Sequence, residues 1–204
     1  MDDPAQAGAY ADADFEAVNA AFVDRFRCSF PELERGRIAD LGCGPADMPA
    51  RLRPVLPEAM VIGIDAARAM LRIGRRRSAD AALVCARVPA LPFPDRSFDA
   101  IVSNSLLHHL PEPAALWSEI VRLGRSGAAI LVVDLTRPAS AGEARDLVER
   151  YAGSEPPILK RDFYNSLCAA LTPDEVRESL PAALRHLECR TITDRHVALS
   201  GRMS

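Results

Sequence analysis

Apolar positions change their period several times along this chain. From Asp14 to Phe30 they recur every three or four residues, at Phe15, Val18, Phe22 and Phe26, which predicts a helix with one apolar face. Beyond it, short apolar runs alternate with helical stretches. Strands are predicted at 37–41, 60–65, 82–86, 98–103 and 128–135, and helices at 46–56, 67–76 and 113–123. Strand and helix alternating at this pitch imply an α/β fold: a mostly parallel, doubly wound sheet with helices on both faces. Two further runs, 187–192 and 196–200, flank a turn at Thr193, Asp194 and Arg195 and read as an antiparallel hairpin at the sheet edge, giving seven strands in all.

The stretch between the fifth strand and that hairpin is too long for one crossover. It divides into helices at 140–151 and 159–171 and a third opening at Pro173. Ser140 with Glu143, and Thr172 with Glu175, stand at capping-box spacing. The chain reads as one domain over 1–204: an N-terminal helical cap (1–36), a ligand-binding core (37–135), a helical lid insertion (136–184) and a C-terminal hairpin (185–204). The first dozen residues are expected to be poorly ordered, apart from a contact by Tyr10.

Composition narrows the class. A chain of 204 residues with 49% hydrophobic and 26% charged residues can bury a core as an ordinary globular domain. Its net charge of −3 provides no basic field for a nucleic-acid backbone, and Arg72, Arg75, Arg76 and Arg77 read as the solvated end of a helix. The five cysteines are scattered without a CxxC pair, so neither a zinc site nor a disulfide framework is signalled. With no signal-peptide pattern and no apolar run of membrane-spanning length, a cytoplasmic protein without a membrane partner is expected. The oligomeric state, a homodimer included, is left open.

Candidate chemistry begins at Ile38–Ala39–Asp40–Leu41–Gly42–Cys43–Gly44–Pro45–Ala46, where a strand enters a glycine turn before a helix. Such a turn lets a nucleotide-type ligand approach the backbone closely. Asp65 ends the next strand about twenty positions later, the spacing of a carboxylate that accepts from ribose hydroxyls. A dinucleotide is disfavoured because Asp47 stands where its motif needs a third glycine, and Asp40 and Asp47 would repel a pyrophosphate. A ligand carrying an ammonium and a sulfonium suits the same acids.

These segments resemble the class I S-adenosylmethionine-dependent methyltransferases, of the small-molecule type. I-A-D-L-G-C-G-P-A is similar to their first motif, V-I-G-I-D to their second, and L-P-F-P-D-R-S-F-D-A-I-V-S-N-S-L-L-H-H-L to the segment spanning their fourth strand. The resemblance implies a Rossmann-like fold and an enzyme that binds S-adenosylmethionine and releases S-adenosylhomocysteine. It implies that Asp40, Gly42 and Gly44, with Cys43 in the turn, hold the methionine part, that Asp65 holds the ribose, and that Ala66 and Met70 lie near the adenine. Ser103 would stand beside the cofactor. The family commonly has an acid where this chain has Arg87, so adenine would be read beside Arg87 by backbone, at Ala86 or Val88.

For the acceptor, expected to be a small molecule, His108 and Asn104 follow the fourth strand and are candidates to accept a proton or orient the nucleophile. His109 is a further candidate contact, alongside a packing role. On the 159–171 helix Tyr164 is a further catalytic candidate and Arg161 and Asn165 are candidate substrate contacts, where Arg161 would suit an acceptor carboxylate and Leu159, Phe163 and Leu167 would pack. The alternative is a non-catalytic regulator or scaffold built on the same fold.

Overall fold

The computed structural model describes residues 3–204; Met1 and Asp2, part of the segment expected to be poorly ordered, lie outside the described residues. Seven strands form one sheet: β1 (Arg35–Leu41), β2 (Glu58–Asp65), β3 (Ala82–Cys85), β4 (Phe98–Asn104), β5 (Gly124–Leu135), β6 (Glu188–Thr193) and β7 (His196–Arg202), in the order β3-β2-β1-β4-β5-β7-β6. The pairs among β1 to β5 are parallel, whereas β7 runs antiparallel to both β5 and β6. The predicted edge hairpin is therefore present, with β6 outermost. Strand order reverses between β1 and β4, and the carboxyl ends of those two strands bound the crevice in which open α/β sheets bind ligands.

Burial explains the strand patterns. Every residue from Ala128 to Leu135 is buried, as in a strand covered on both faces. On one face, Trp117 and Ile120 of helix α5 (Pro113–Leu123) pack with Ile101 and Ile130. On the other, Phe22 and Phe26 of α2 (Glu16–Ser29) and Leu52 of α3 (Asp47–Val55) pack with Ile38 and Leu131. The remaining crossover is α4 (Arg68–Arg77). Between β5 and β6 come α6 (Ala141–Ala152), α7 (Pro157–Ala169) and α8 (Pro173–Ser179), where three helices were expected. Thr172 forms the full capping box with Glu175; Ser140 accepts from the Glu143 amide, while the Glu143 carboxylate turns to the amide of Ala139. No described helix is long and apolar enough to cross a membrane.

One expectation fails at the N-terminus. Pro4–Asp12 is a helix, α1, capped by the Asp3 carboxylate on the amides of Ala5 and Gln6. Ala7 is fully buried against Ala67, Ala69 and Met70, Arg77 donates to the Ala11 carbonyl, and Gln6 donates to Asp162 of α7 at 2.7 Å. The alanine-rich segment has little apolar surface of its own; small side chains let it sit close on α4, and that docking orders it.

Candidate active site

The glycine turn is held from below. The amides of Gly42 and Cys43 both donate to the Ile64 carbonyl, at 2.8 and 3.1 Å, which fastens the turn to the end of β2. Gly42 has φ +78, and a Cβ there would come within 2.8 Å of Leu106, so only glycine fits. Gly42→Ala is expected to lower the stability of the chain by about 1–3 kcal/mol, read as a fall in denaturation midpoint at unchanged m-value. Asp65 links the turn to α4: its carboxylate accepts from the Gly44 amide at 2.9 Å and the Ala67 amide at 2.7 Å. Each carboxylate oxygen keeps a free lone pair.

Beside the turn, Asp40 is 1% exposed, and neither of its oxygens has a hydrogen-bond partner. Burial, reinforced by the charges of Asp65 and Asp47, pushes its carboxyl up to about 8. A buried acid with two idle oxygens is costly unless something cationic or donor-rich meets it. Asp40 lines a small cavity with Gly42, Gly44 and Asn104 at the ends of β1 and β4, Met48 of α3, Tyr10 of α1, and Phe15 and Asn19 at the start of α2. Tyr10 and Phe15 pack with ring centroids 4.8 Å apart, and desolvation together with Asp47, Asp65 and Asp134 raises the Tyr10 phenol to about 12, so it stays a neutral donor. This donor set suits a ligand with an ammonium or sulfonium and opposes a pyrophosphate, so the residues present fit S-adenosylmethionine.

The second constellation follows β4. Within the short 3-10 turn Leu107–His109, His108 Nδ1–H donates to Asp134 Oδ1 at 2.6 Å, and the two side chains are 4% and 2% exposed. Asp134 also accepts from the amides of Leu107 at 2.7 Å and Leu135 at 2.9 Å. It therefore fixes both the imidazole and the turn carrying it. Nε2 is the ring nitrogen that Asp134 does not engage. His109 is exposed and lies against His108, ring centroids 4.0 Å apart.

Several predicted site residues stand elsewhere. Ser103 is fully buried and donates to the Leu41 carbonyl, so it binds β4 to β1 instead of facing a ligand. Met70 is buried under α1, and the Ala66 carbonyl accepts a weak bond from the Cys85 thiol. Arg87 is exposed and Val88 partly buried, in an irregular segment with a cis bond before Pro89. Arg161 and Asn165 are exposed on α7 and do not line the cavity, while Tyr164, with Phe163, packs on Leu135, Leu147 and Leu167. The α7 side chain that reaches the N-terminal roof is Asp162. Asn104 does reach the cavity, where its amide donates to Asn19. Asn19 and Asp134 were not anticipated. Their signals in the sequence are a polar residue on an apolar helix face and an acid closing the run Ala128 to Val133.

Comparison with known proteins agrees with this fold. The family described as "Methyltransferase domain" matches residues 39–132. The chain is 33% identical over 105 residues to a demethylmenaquinone methyltransferase of Roseiflexus sp. strain RS-1, covering 50% of this chain and 44% of that one. It is 34% identical over 125 residues to a trans-aconitate 2-methyltransferase of Methylobacterium nodulans, covering 61% and 47%. In both cases the match spans less than half of the relative's length. Among solved structures, the plantazolicin methyltransferase BpumL with a triazolic desmethylPZN analog and SAH aligns with a TM-score of 0.70 at 16% identity, over 94% of this chain and 86% of that one. A SAM-dependent methyltransferase from Aquifex aeolicus aligns over 99% of both chains, with a TM-score of 0.67 at 14% identity. At such identities the structures attest the fold.

Proposed function

We propose that this chain, which belongs to the class I S-adenosylmethionine-dependent methyltransferases, methylates a small organic acceptor whose nucleophile carries a proton. The observation that carries the reading is the idle, buried Asp40 carboxylate at the glycine turn, on the switch point of the sheet. The relatives' names, which mention demethylmenaquinone and trans-aconitate, support an acceptor of small-molecule size.

When bound, S-adenosylmethionine supplies an electrophilic methyl group, and S-adenosylhomocysteine is left after transfer. Asp40 and the turn at Gly42 and Gly44 hold its methionine part, and Asp65 accepts from the ribose. The helix α1 closes over the cleft and excludes water. His108, held by Asp134, takes the acceptor's proton on Nε2 as the acceptor–carbon bond forms. Asp134 stabilises the imidazolium that results.

Asp65→Ala is expected to weaken S-adenosylhomocysteine binding more than about tenfold, the scale of a lost charge-assisted hydrogen bond. Because the same carboxylate holds the Gly44 and Ala67 amides, thermal stability falls as well. Calorimetry at a temperature where the variant is folded separates the two effects; unchanged affinity would remove Asp65 from the site. The activity itself is tested by supplying S-adenosylmethionine with a panel of phenols, hydroxy acids and polycarboxylates and measuring S-adenosylhomocysteine. Acceptor-dependent product supports the reading. Tight cofactor binding without turnover on any acceptor would favour a non-catalytic role.

A further inference from the structure

Helix α7 packs against the 3-10 turn that carries His108 and His109. From α7 the half-buried Asp162 carboxylate reaches across to α1, where its Oδ2 accepts from Gln6 Nε2 at 2.7 Å. Gln6 stands one helical turn before Tyr10, which lines the cavity, so this bridge lies along the same cleft. The charge of Asp162, like that of Asp134, acts on the His109 ring. Asp162 is therefore the acid that α7 turns toward the His108 side of the cleft. The cations of α7 are placed elsewhere: Arg161 is exposed, and Lys160 pairs with Glu149 of α6 at 3.4 Å.

This distribution of charge bears on which acceptors can enter. Asp134 stands behind His108, Asp40 and Asp47 line the cavity, and no lysine or arginine lines it. Arg77, at 3.6 Å from Asp47, is already engaged by Asp12 and the Ala11 carbonyl. An acceptor carboxylate leaves water at a cost that a guanidinium or ammonium would have to offset. Here it would meet the like charge of Asp162 instead. A neutral acceptor avoids that repulsion, and an ammonium on the acceptor is attracted to Asp162. We propose that the cleft selects acceptors without an anionic group, neutral or ammonium-bearing, and that Asp162 sets this preference. The inference rests on the methyl-transfer reading, with His108 marking the acceptor's side. It reverses the expectation that Arg161 receives an acceptor carboxylate, because α7 turns its acid inward and that arginine to solvent.

The test uses the full chain with S-adenosylmethionine and acceptors in matched triplets of phenols, catechols and primary alcohols. The members of a triplet differ only in a remote substituent: aminoethyl, ethyl or carboxyethyl. In the parent, kcat/KM for the ammonium and neutral members is expected to exceed that of the carboxylate by about tenfold or more, chiefly through KM. Asp162→Asn still accepts from Gln6, so α1 stays docked. It narrows the neutral-to-carboxylate ratio about five- to tenfold, while kcat for the neutral member and the affinity for S-adenosylhomocysteine stay within about twofold. Salt narrows the ratio in the parent and leaves the variant unchanged, which a merely structural role would not do. The inference is overturned if the parent turns over the carboxylate member as well as the neutral one. It is equally overturned if Asp162→Asn keeps the parent's ratio, or changes all three members alike. Absence of turnover on every triplet would overturn the methyl-transfer reading itself, and this inference with it.

Discussion

His108→Gln is expected to lower kcat about 100-fold or more, with the affinity for S-adenosylhomocysteine unchanged to within about twofold. Positioned proton transfer is worth about 10²–10⁴ in rate, and glutamine can bond to Asp134 without accepting a proton at the acceptor. Asp134→Asn is expected to lower kcat in the same direction but less, because the imidazole remains and only its tautomer and orientation are released. It also removes the charge that accepts from the Leu107 and Leu135 amides, so the variant loses thermal stability. Initial rates with any acceptor that supports turnover decide the matter. A kcat for His108→Gln within about twofold of the parent would reduce the dyad to an anchor for the turn after β4.

Asp40→Asn is the second large effect, and it separates function from stability. In the cofactor-free protein the Asp40 carboxyl is raised from 3.8 to about 8 by burial and by Asp65 and Asp47. A group raised on folding contributes stability that is fully present below its unfolded value and is lost as pH rises through its folded value. The cofactor-free protein should therefore lose stability between pH 3.8 and about 8 from this group, at up to about 1.4 kcal/mol per pH unit. The asparagine variant, a neutral isostere, should lack that slope and be more stable than the parent above pH 8. Its affinity for S-adenosylhomocysteine falls about 10- to 100-fold at the same pH, since a charge-assisted bond is gone. Denaturant titrations of both proteins from pH 6 to 9, with matching calorimetry, check each half. Parallel stability profiles would show that Asp40 is already paired.

The parts of this account that sequence made legible are those set by periodicity and by backbone chemistry. Apolar runs at 37–41, 60–65 and 98–103 have no other use than buried strands, and the structure extends each by a residue or two. The glycine turn was visible as Gly42–Cys43–Gly44 between a strand and a helix, and a φ of +78 beside Leu106 explains why glycine stands at its first position. The helix α1 was not legible: its stability comes from docking Ala7 and Ala11 against α4, a tertiary effect that leaves no periodic apolar stripe. Likewise Arg161 and Asn165 share a helix face, but which face meets the site depends on how α7 packs, and Phe163, Tyr164 and Leu167 turn the other side inward. Asp134 escaped notice because it falls within the strand predicted at 128–135, as one polar residue of a buried run whose partner is distant in sequence. Only the fold brings it to His108 across 26 positions.

The central claim is that an S-adenosylmethionine site is built around Asp40 and the glycine turn. Its most direct test is titration of the purified chain with S-adenosylhomocysteine at pH 7 in two buffers of different ionisation enthalpy. The account predicts a Kd on the order of micromolar and release of close to one proton per ligand, because Asp40 must ionise to meet the ammonium. Affinity should rise about tenfold per pH unit below 8. A folded protein that binds no S-adenosylhomocysteine, or binds it with no proton released and no pH dependence, would contradict the account.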